Sequence, residues 1–494
     1  MSSYAISPTL NKNRVFILQK SEMEKRLDPF YYVPELVELE KKVLAKKPKK
    51  LRDYVKGIAS GATPKTTESE KYYAEKENGV PFLRVQNLSP TSILEFDDCK
   101  YINEETHNGM LKRSQVSAGD LLVKITGVGR MAVASVAPEG FEGNINQHIC
   151  VIKTGSKEIS ETLAAFLNSD IGERLASRRS TGGTRPALDY PALLSIPILS
   201  DKRILEITKK VAEQKKRNEA EAEKLSLSID DFLLKELEIK LPVLPENTLK
   251  NRMFTANLAE ISGGRFDPKL YSIQSRELVK ALYKTKLKKQ SLKSVIVQSC
   301  SGDWGHEDKE KFNANDFVRC LVIRATEFDN KFNLNVDGER AKFRLINIEK
   351  YLSLDIKTND LLIEKSGGSE NQPVGRIAIL SKELTDNYTL GFSNFVHKIR
   401  IDEKIVSAEF VFNYLKTIHN IKVTDIMQSQ TNGIRNLIMN EYFNLPIPIL
   451  SPERQSEIVE HVKSIRQLAQ RLKDKTQEVL AKASKEIEEI LLSN

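Results

Sequence analysis

The sequence predicts an α+β protein made of two similar globular units and two long helices. Three observations carry that expectation. The strand end "LSIPILS" (Leu194–Ser200) returns as "LPIPILS" (Leu445–Ser451), a long charged segment of helical periodicity follows each copy, and neighbouring residues keep step at a slowly drifting offset.

The matches run in order along the chain. At the front, "KNRVF" from Lys12 faces "KNRMF" from Lys250, and "RLDP" from Arg26 faces "RFDP" from Arg265. The basic runs "KKPKK" (Lys46–Lys50) and "KTKLKKQSLK" (Lys284–Lys293) stand before "LRDYV" and "LKSVI", both read as strands. "FLRVQNL" faces "VIRATEF", which sets Arg84 opposite Arg324. "GDLLVKITG" from Gly119 faces "NDLLIEKSG" from Asn359, and "VGRMA" from Val128 faces "VGRIA" from Val374. Thr181–Tyr190 faces Thr431–Asn440, pairing Gly183 with Gly433 and Arg185 with Arg435.

Within each unit, short β-rich runs alternate with Gly/Asn/Ser loops. One helix is expected from about Glu158 to Arg179, where Leu163, Phe166, Leu167, Ile171 and Leu175 recur at helical spacing. After each unit comes a segment without internal Gly or Pro, Ile204–Lys240 and Glu453–Leu492, with Ser200 and Ser451 as candidate N-caps. In the second, Ile458, Val462, Ile465, Ala469, Leu472, Thr476, Val479 and Ala483 form a coiled-coil seam; the first sets Ile204, Val211, Asn218, Leu225 and Phe232 in line. Each segment would span roughly 55–60 Å as a helix, and each is the natural partner of the other. The expected boundaries are residues 1–200 for the first unit, 201–240 for its helix, 241–450 for the second unit and 451–494 for the last helix, with "KLPVLPENT" (Lys240–Thr248) as the joint. The result is a pseudo-two-fold internal repeat.

Composition narrows the partners. The 494 residues carry a formal charge of +9 and a pI near 9.0, which favours an anionic partner. The basic runs above, and "ERLASRR" (Glu173–Arg179), are either solvated faces or phosphate contacts. The cysteines Cys99, Cys150, Cys300 and Cys320 show no CxxC spacing and fit a reducing compartment. With no signal peptide and no run long enough to span a membrane, a cytoplasmic protein without a membrane partner is expected.

A search for chemistry returns mostly absences. No GxxxxGK phosphate loop, strand-linked GxGxxG or aromatic Asn/Asp-Pro-Pro motif is present. The "LLIEK" of Leu361–Lys365 has the wrong spacing for a nuclease carboxylate–lysine cluster, and its counterpart lacks the Glu. His148 and His397 are read as hydrogen-bonded structural residues. The chain is expected to do no chemistry itself and to hold no metal or cofactor. The alternatives are a nuclease or methyltransferase with unrecognised catalytic residues, or a duplicated protein-binding scaffold.

The order "RLDP", "LRDYV", "SGATP", "PFLRVQNL", "GDLLVKITG", "VGR", "NINQH", "FLNS", "GGTRPALDYPALLSIPIL", then a long helix, then the same order again, resembles the DNA specificity subunit of type I restriction–modification enzymes. The second copy departs from the pattern: "SGATP" becomes "SGDWG" and "GGTR" becomes "TNGIR". The resemblance implies two target recognition domains, each reading one half of a bipartite target on double-stranded DNA. It also implies an antiparallel helix pair that acts as a ruler for the spacer, two methyltransferase subunits docked on those helices, and a restriction/translocase subunit that joins for cleavage.

Side-chain donors in the major groove are the expected means of base reading. The candidates in the first unit are Ser60, Thr63, Lys65, Arg84, Gln86, Asn87, Lys124, Thr126, Arg130, Asn146, Gln147 and Arg185. In the second they are Trp304, His306, Arg324, Thr326, Lys365, Ser366, Arg376, Ser393, Asn394, Asn432 and Arg435. Arg84 and Arg324 have an equal alternative, burial in a pair with the Asp of "GDLL" or "NDLL".

Overall fold

The computed structural model describes all residues except 1–6, 8, 25, 97, 244–245, 247, 262–264, 308–315, 330–332, 337–341, 369–372, 432–433 and 494. It divides into two compact units, residues 1–220 with 472–494, and residues 221–471.

In the first unit α1 (Pro34–Ala45) precedes ten strands among the described residues. These are β1 (Lys49–Lys50), β2 (Gly57–Ser60), β3 (Val80–Leu83), β4 (Lys100–Ile102), β5 (Gln115–Ser117), β6 (Leu121–Lys124), β7 (Ala134–Val136), β8 (Glu142–Ile145), β9 (Ile149–Lys153) and β10 (Pro197–Ile198). Helices α2 (Lys157–Asn168) and α3 (Asp170–Arg179) separate the last two, and α4 (Lys202–Glu236) follows. The antiparallel sheet β2-β9-β6-β7 packs against the sheet β4-β3-β8-β5, in which β3 and β8 run parallel. β6 shows why the two cores share it: Leu121 and Val123 face one cluster and Leu122 the other, the alternation of a strand buried on both sides.

In the second unit α5 (Ile273–Lys284) stands before the strands, and the plan repeats. Its strands are β11 (Lys289–Ser291), β12 (Ile296–Ser301), β13 (Phe317–Ile323), β14 (Phe343–Asn347), β15 (Leu361–Glu364), β16 (Ser366–Gly367), β17 (Ile377–Ile379), β18 (Leu390–Phe392), β19 (Val396–Ile401), β20 (Gln428–Thr431), β21 (Ile434–Leu437) and β22 (Pro446–Pro448). Between β19 and β20 lies α6 (Ala408–Asn420), and the chain ends in α7 (Pro452–Leu492). The order β12-β19-β15-β17 reproduces β2-β9-β6-β7, and β14-β13-β18, with β13 and β18 parallel, reproduces β4-β3-β8. The added sheet β16-β21-β20 stands where the first unit has only the bridges Thr126–Ala187 and Thr181–Ala187.

The repeated proline-bearing strand ends have a plain structural role. β10 closes a two-stranded ribbon with β1, and β22 closes another with β11, so each proline strand pairs with a basic run. The repeated "RLDP" is likewise an anchor. Arg26 donates to the carbonyls of Arg179 and Ser180, Arg265 to those of Ile426 and Gln428, and Tyr32 and Tyr271 donate to the Arg26 and Arg265 carbonyls.

Each unit contains one end of each long helix, packed antiparallel. In the first, Ile204 shares a core with Ile487 and Leu491, while Asn218 donates to Thr476 at 2.9 Å. In the second, Phe232 lies against His461, and Glu236 pairs with Arg454. The seam positions Ile458, Val462, Ile465, Ala469, Thr476 and Ala483 are buried, as expected of a coiled coil. On α4, Val211, Leu225 and Phe232 are half-buried, and Ala212, Ala222, Ile229 and Leu233 lie deeper.

Four expectations are corrected. The helix from Glu158 breaks at Ser169, whose Oγ accepts from Gly172 N–H at 3.0 Å while donating to Phe166 O at 2.6 Å. "LRDYV" and "LKSVI" open as 3₁₀ turns, Leu51–Tyr54 and Leu292–Val295. Asp201, one residue after Ser200, holds the start of α4 by accepting from Arg203 N–H, whereas Ser451 does accept from Arg454 N–H at 3.3 Å. Arg178 and Arg179 of "ERLASRR" are neither solvated nor on the surface; both are buried on Glu40 of α1.

Candidate nucleic-acid interface

In the first unit three loops converge beyond the ends of β2 and β9. The loop after β2 begins with Gly61, where a Cβ would lie 1.7 Å from the Ile145 carbonyl oxygen; only glycine fits so close to β8. Gly302 repeats this after β12, its Cβ position 2.0 Å from Phe392 O. That contact explains the "SG" of both copies. It leaves the following residues projecting beside the loop between β8 and β9, where the Thr63 hydroxyl donates to Gln147 Oε1. The third loop arrives through Arg185, which donates to His148 Nε2 at 3.1 Å. Burial, then the Arg185 charge, lowers the His148 pKa and so favours the neutral ring, whose Nε2 accepts from Arg185 in the Nδ1–H tautomer. Ser60 Oγ and Tyr190 OH share a hydrogen bond at the base, and Thr126 bridges to Ala187. Lys65 is exposed, 3.4 Å from Glu68.

The second unit gathers the corresponding loops with other side chains. Asp303 N–H donates to Phe392 O at 2.8 Å, and His306 exchanges both backbone hydrogen bonds with Leu345 of β14. Between these clamps Trp304 projects toward Phe395, ring centroids 6.4 Å apart. The register β6/β9 against β15/β19 sets Phe395 where the first unit has His148, and exposed Asn394 where it has Gln147. Lys365 N–H donates to Phe395 O, and its Nζ lies 3.4 Å from Ser301 Oγ. Ser366 donates to Asn436 at 2.7 Å, and Arg435 sits in β21 opposite Gly367. His397 hydrogen-bonds Ser299 and Ser301, and burial, with Lys365 nearby, pushes its pKa down to about 4. Asn432 lies outside the described residues.

Other candidates are held in the framework. Arg84 is paired, but with Asp98 at 2.9 Å, where Gln86 also donates; Arg324 is paired with Glu327, to which Thr326 donates. The Asp residues of "GDLL" and "NDLL" have other partners, Lys153 for Asp120, and Arg400 and Lys398 for Asp360. Asn87 holds the turn after β3, accepting from Arg84 N–H and donating to Glu95 O. Lys124 is buried and donates to the carbonyls of Val128 and Arg130. Arg130 reaches Asp170 and the Asn168 carbonyl, and Arg376 is buried on Glu364. Asn146 and Ser393 shape their loops by accepting from His148 N–H and Phe395 N–H.

Two residues beside Trp304 went unseen in the sequence. Phe395 is legible from its match with His148, whereas Arg344, whose guanidinium sits 4.9 Å from the Trp304 ring centroid, comes from a strand pairing that no motif marks. Among the described residues, no helix is long and apolar enough to cross a membrane, and no group of three or more His, Cys, Asp or Glu is placed to hold a metal ion.

No family model and no curated protein matches the sequence. Similar solved structures are the type I restriction–modification system S subunit from M. genitalium (11% identity over 90% of this chain and 94% of that chain, TM-score 0.37) and the HsdS subunit from Thermoanaerobacter tengcongensis (15%, 90% and 94%, TM-score 0.28). A third is a chain from a study of complex assembly and conformational transition in the type I R-M system (15%, 90% and 95%, TM-score 0.39).

Proposed function

We propose that the chain is the DNA specificity subunit of a type I restriction–modification complex, reading one half of a bipartite double-stranded target with each unit. The observation that carries this is the repeated loop cluster. Two matched frameworks, each requiring glycine at the same place, present different side chains at the same positions: Thr63, Gln147 and His148 in one, Trp304, Asn394 and Phe395 in the other. A shared scaffold with exchanged tips is what two different half-sites call for. The donors Gln147, Arg185, Lys365 and Arg435 suit base edges or phosphates, and the +9 charge favours the DNA backbone.

The chain itself performs no catalysis in this scheme and needs no cofactor. Two methyltransferase subunits dock on the helix pair, and a restriction/translocase subunit joins for cleavage. The test is a domain exchange in a host carrying the complete system. Replacing residues 1–202 by the matching region of a relative should change one half of the methylated sequence and leave the other intact. If both halves change together, independent reading is wrong.

A further inference from the structure

The chain's single tryptophan lies in the second loop cluster. Trp304 is held from both sides, by the Asp303 N–H bond to Phe392 O and by the two backbone bonds between His306 and Leu345. Gly305 between them has φ +67° and a Cβ position 2.9 Å from Leu345 O, so the turn that lifts the indole depends on glycine. Trp304 is 39% exposed and its neighbour Phe395 40%, which leaves a fixed apolar surface facing solvent among basic groups. Arg344 covers the indole at 4.9 Å and lies 3.8 Å from Glu307; Arg319 sits 4.3 Å over the ring of exposed Phe343. At the matched place in the first unit stands the polar pair Thr63–Gln147.

We infer that Trp304, backed by Phe395 and Arg344, is the apolar base contact of the second unit, and that it takes the 5-methyl group of a thymine in the major groove. This rests on the DNA-reading role proposed above. Three features favour a methyl contact over insertion between stacked bases. An inserting wedge needs a free, protruding ring, whereas the Arg344 guanidinium lies over this indole and Phe395 lies beside it. The thymine methyl is the apolar group that the major groove presents, and apolar side chains are its recognised partners. The flanking guanidiniums of Arg344 and Arg319 carry the charge opposite to that of the phosphates on either side. The first unit, with hydroxyl and amide groups at the same place, reads by hydrogen bonds instead.

The experiment uses the full chain and a pool of random-sequence DNA duplexes, from which bound sequences are recovered. Each thymine of the enriched sequence is then replaced in turn by deoxyuridine, which removes the methyl alone. One thymine in one half should lose about four-fold in affinity, the worth of a single buried methyl. Trp304→Ala should bind the thymine and deoxyuridine duplexes equally, while Trp304→Phe and Thr63→Ala keep the difference. The wild-type chain supplies a second measurement that no folding defect can obscure: its single-tryptophan emission should change on binding, and change less with deoxyuridine at that position. Sensitivity that survives in a folded Trp304→Ala, emission indifferent to binding, or no thymine-dependent position would overturn the Trp304 assignment while leaving DNA reading intact. A pool that yields no enriched two-part sequence would overturn both.

Discussion

Matched positions show how one framework absorbs opposite charges. Lys124 and Glu364 occupy corresponding ends of β6 and β15, and both are buried. Lys124 turns to two carbonyls, whereas Glu364 takes Arg376 at 2.8 Å. Lys398 replaces Val151 and is 0% exposed, 3.3 Å from Asp360; burial lowers its pKa and Asp360 opposes that. The histidines make a sharper case. Burial pushes His419 down to about 4, its Nε2 donating to Pro373 O at 3.3 Å. The unfolded imidazole takes a proton near pH 6.5, so protonation favours the unfolded chain. The contribution of His419 is complete above pH 6.5 and is lost as pH falls toward 4, a difference of about 3 kcal/mol. His397 has the same sign, with a smaller weight because it is only half-buried. Thermal unfolding across that window should show a decline that His419→Gln makes shallower. Parallel declines in wild type and variant would exclude His419 as a source.

Among the elements, the helix seam carries a polar pair at depth. Asn218 donates to Thr476 Oγ1, which in turn donates to Leu472 O at 2.9 Å, and both residues are buried. Thr476→Val leaves Asn218 Nδ2 with the Leu472 carbonyl at 3.5 Å alone, and should cost about 1–2 kcal/mol. Adding Asn218→Leu should recover most of that loss, because no unpaired amide then remains in the seam; half-buried Gln214, which donates to Asn218, can turn to water. Chemical denaturation of both single variants and the double would measure the coupling, and additive losses would sink the idea. The seam was legible because coiled coils repeat their apolar positions over many turns. The break at Ser169 was not: α2 and α3 both face one core, so Leu163, Phe166, Ile171 and Leu175 continue the same spacing across it. The local sign was Asn168-Ser169-Asp170 followed by Gly172, whose Cβ position lies 2.1 Å from Phe166 O. Arg178 and Arg179 of "ERLASRR" misled because sequence shows a charge run but not the single Glu40 that receives both. At the candidate interface, the loops were legible from the repeat, while Arg344 depended on the pairing of β13 with β14.

For the whole molecule, both long helices contribute to both units, α4 crossing between them at Ala220/Glu221 and α7 at Arg471/Leu472. If these helices set the separation of the two half-sites, lengthening one alone would slide its seam past the other and break the Asn218–Thr476 pair. Matched insertions avoid that. One heptad in each, placed after Ala220 and before Leu472, keeps the seam with a rotation of about 20° and adds about 10 Å. That is roughly three base pairs, which turn DNA by nearly a third of a revolution and leave the second half-site on the wrong face. Three heptads in each add about 31 Å, roughly nine base pairs and so about 40° short of a full DNA turn, while the seam rotates by about 60° in that same left-handed sense, so spacing and phase return close together. Methylation mapping with the complete system should therefore recover the original two half-sites at three heptads, with the gap longer by about nine base pairs, and show much weaker modification at one. An unchanged gap at three heptads would mean that the helices do not set the spacing. Equal activity at one and three would mean that the joints, with Lys240–Thr248 the first to test, let each unit find its site without regard to phase.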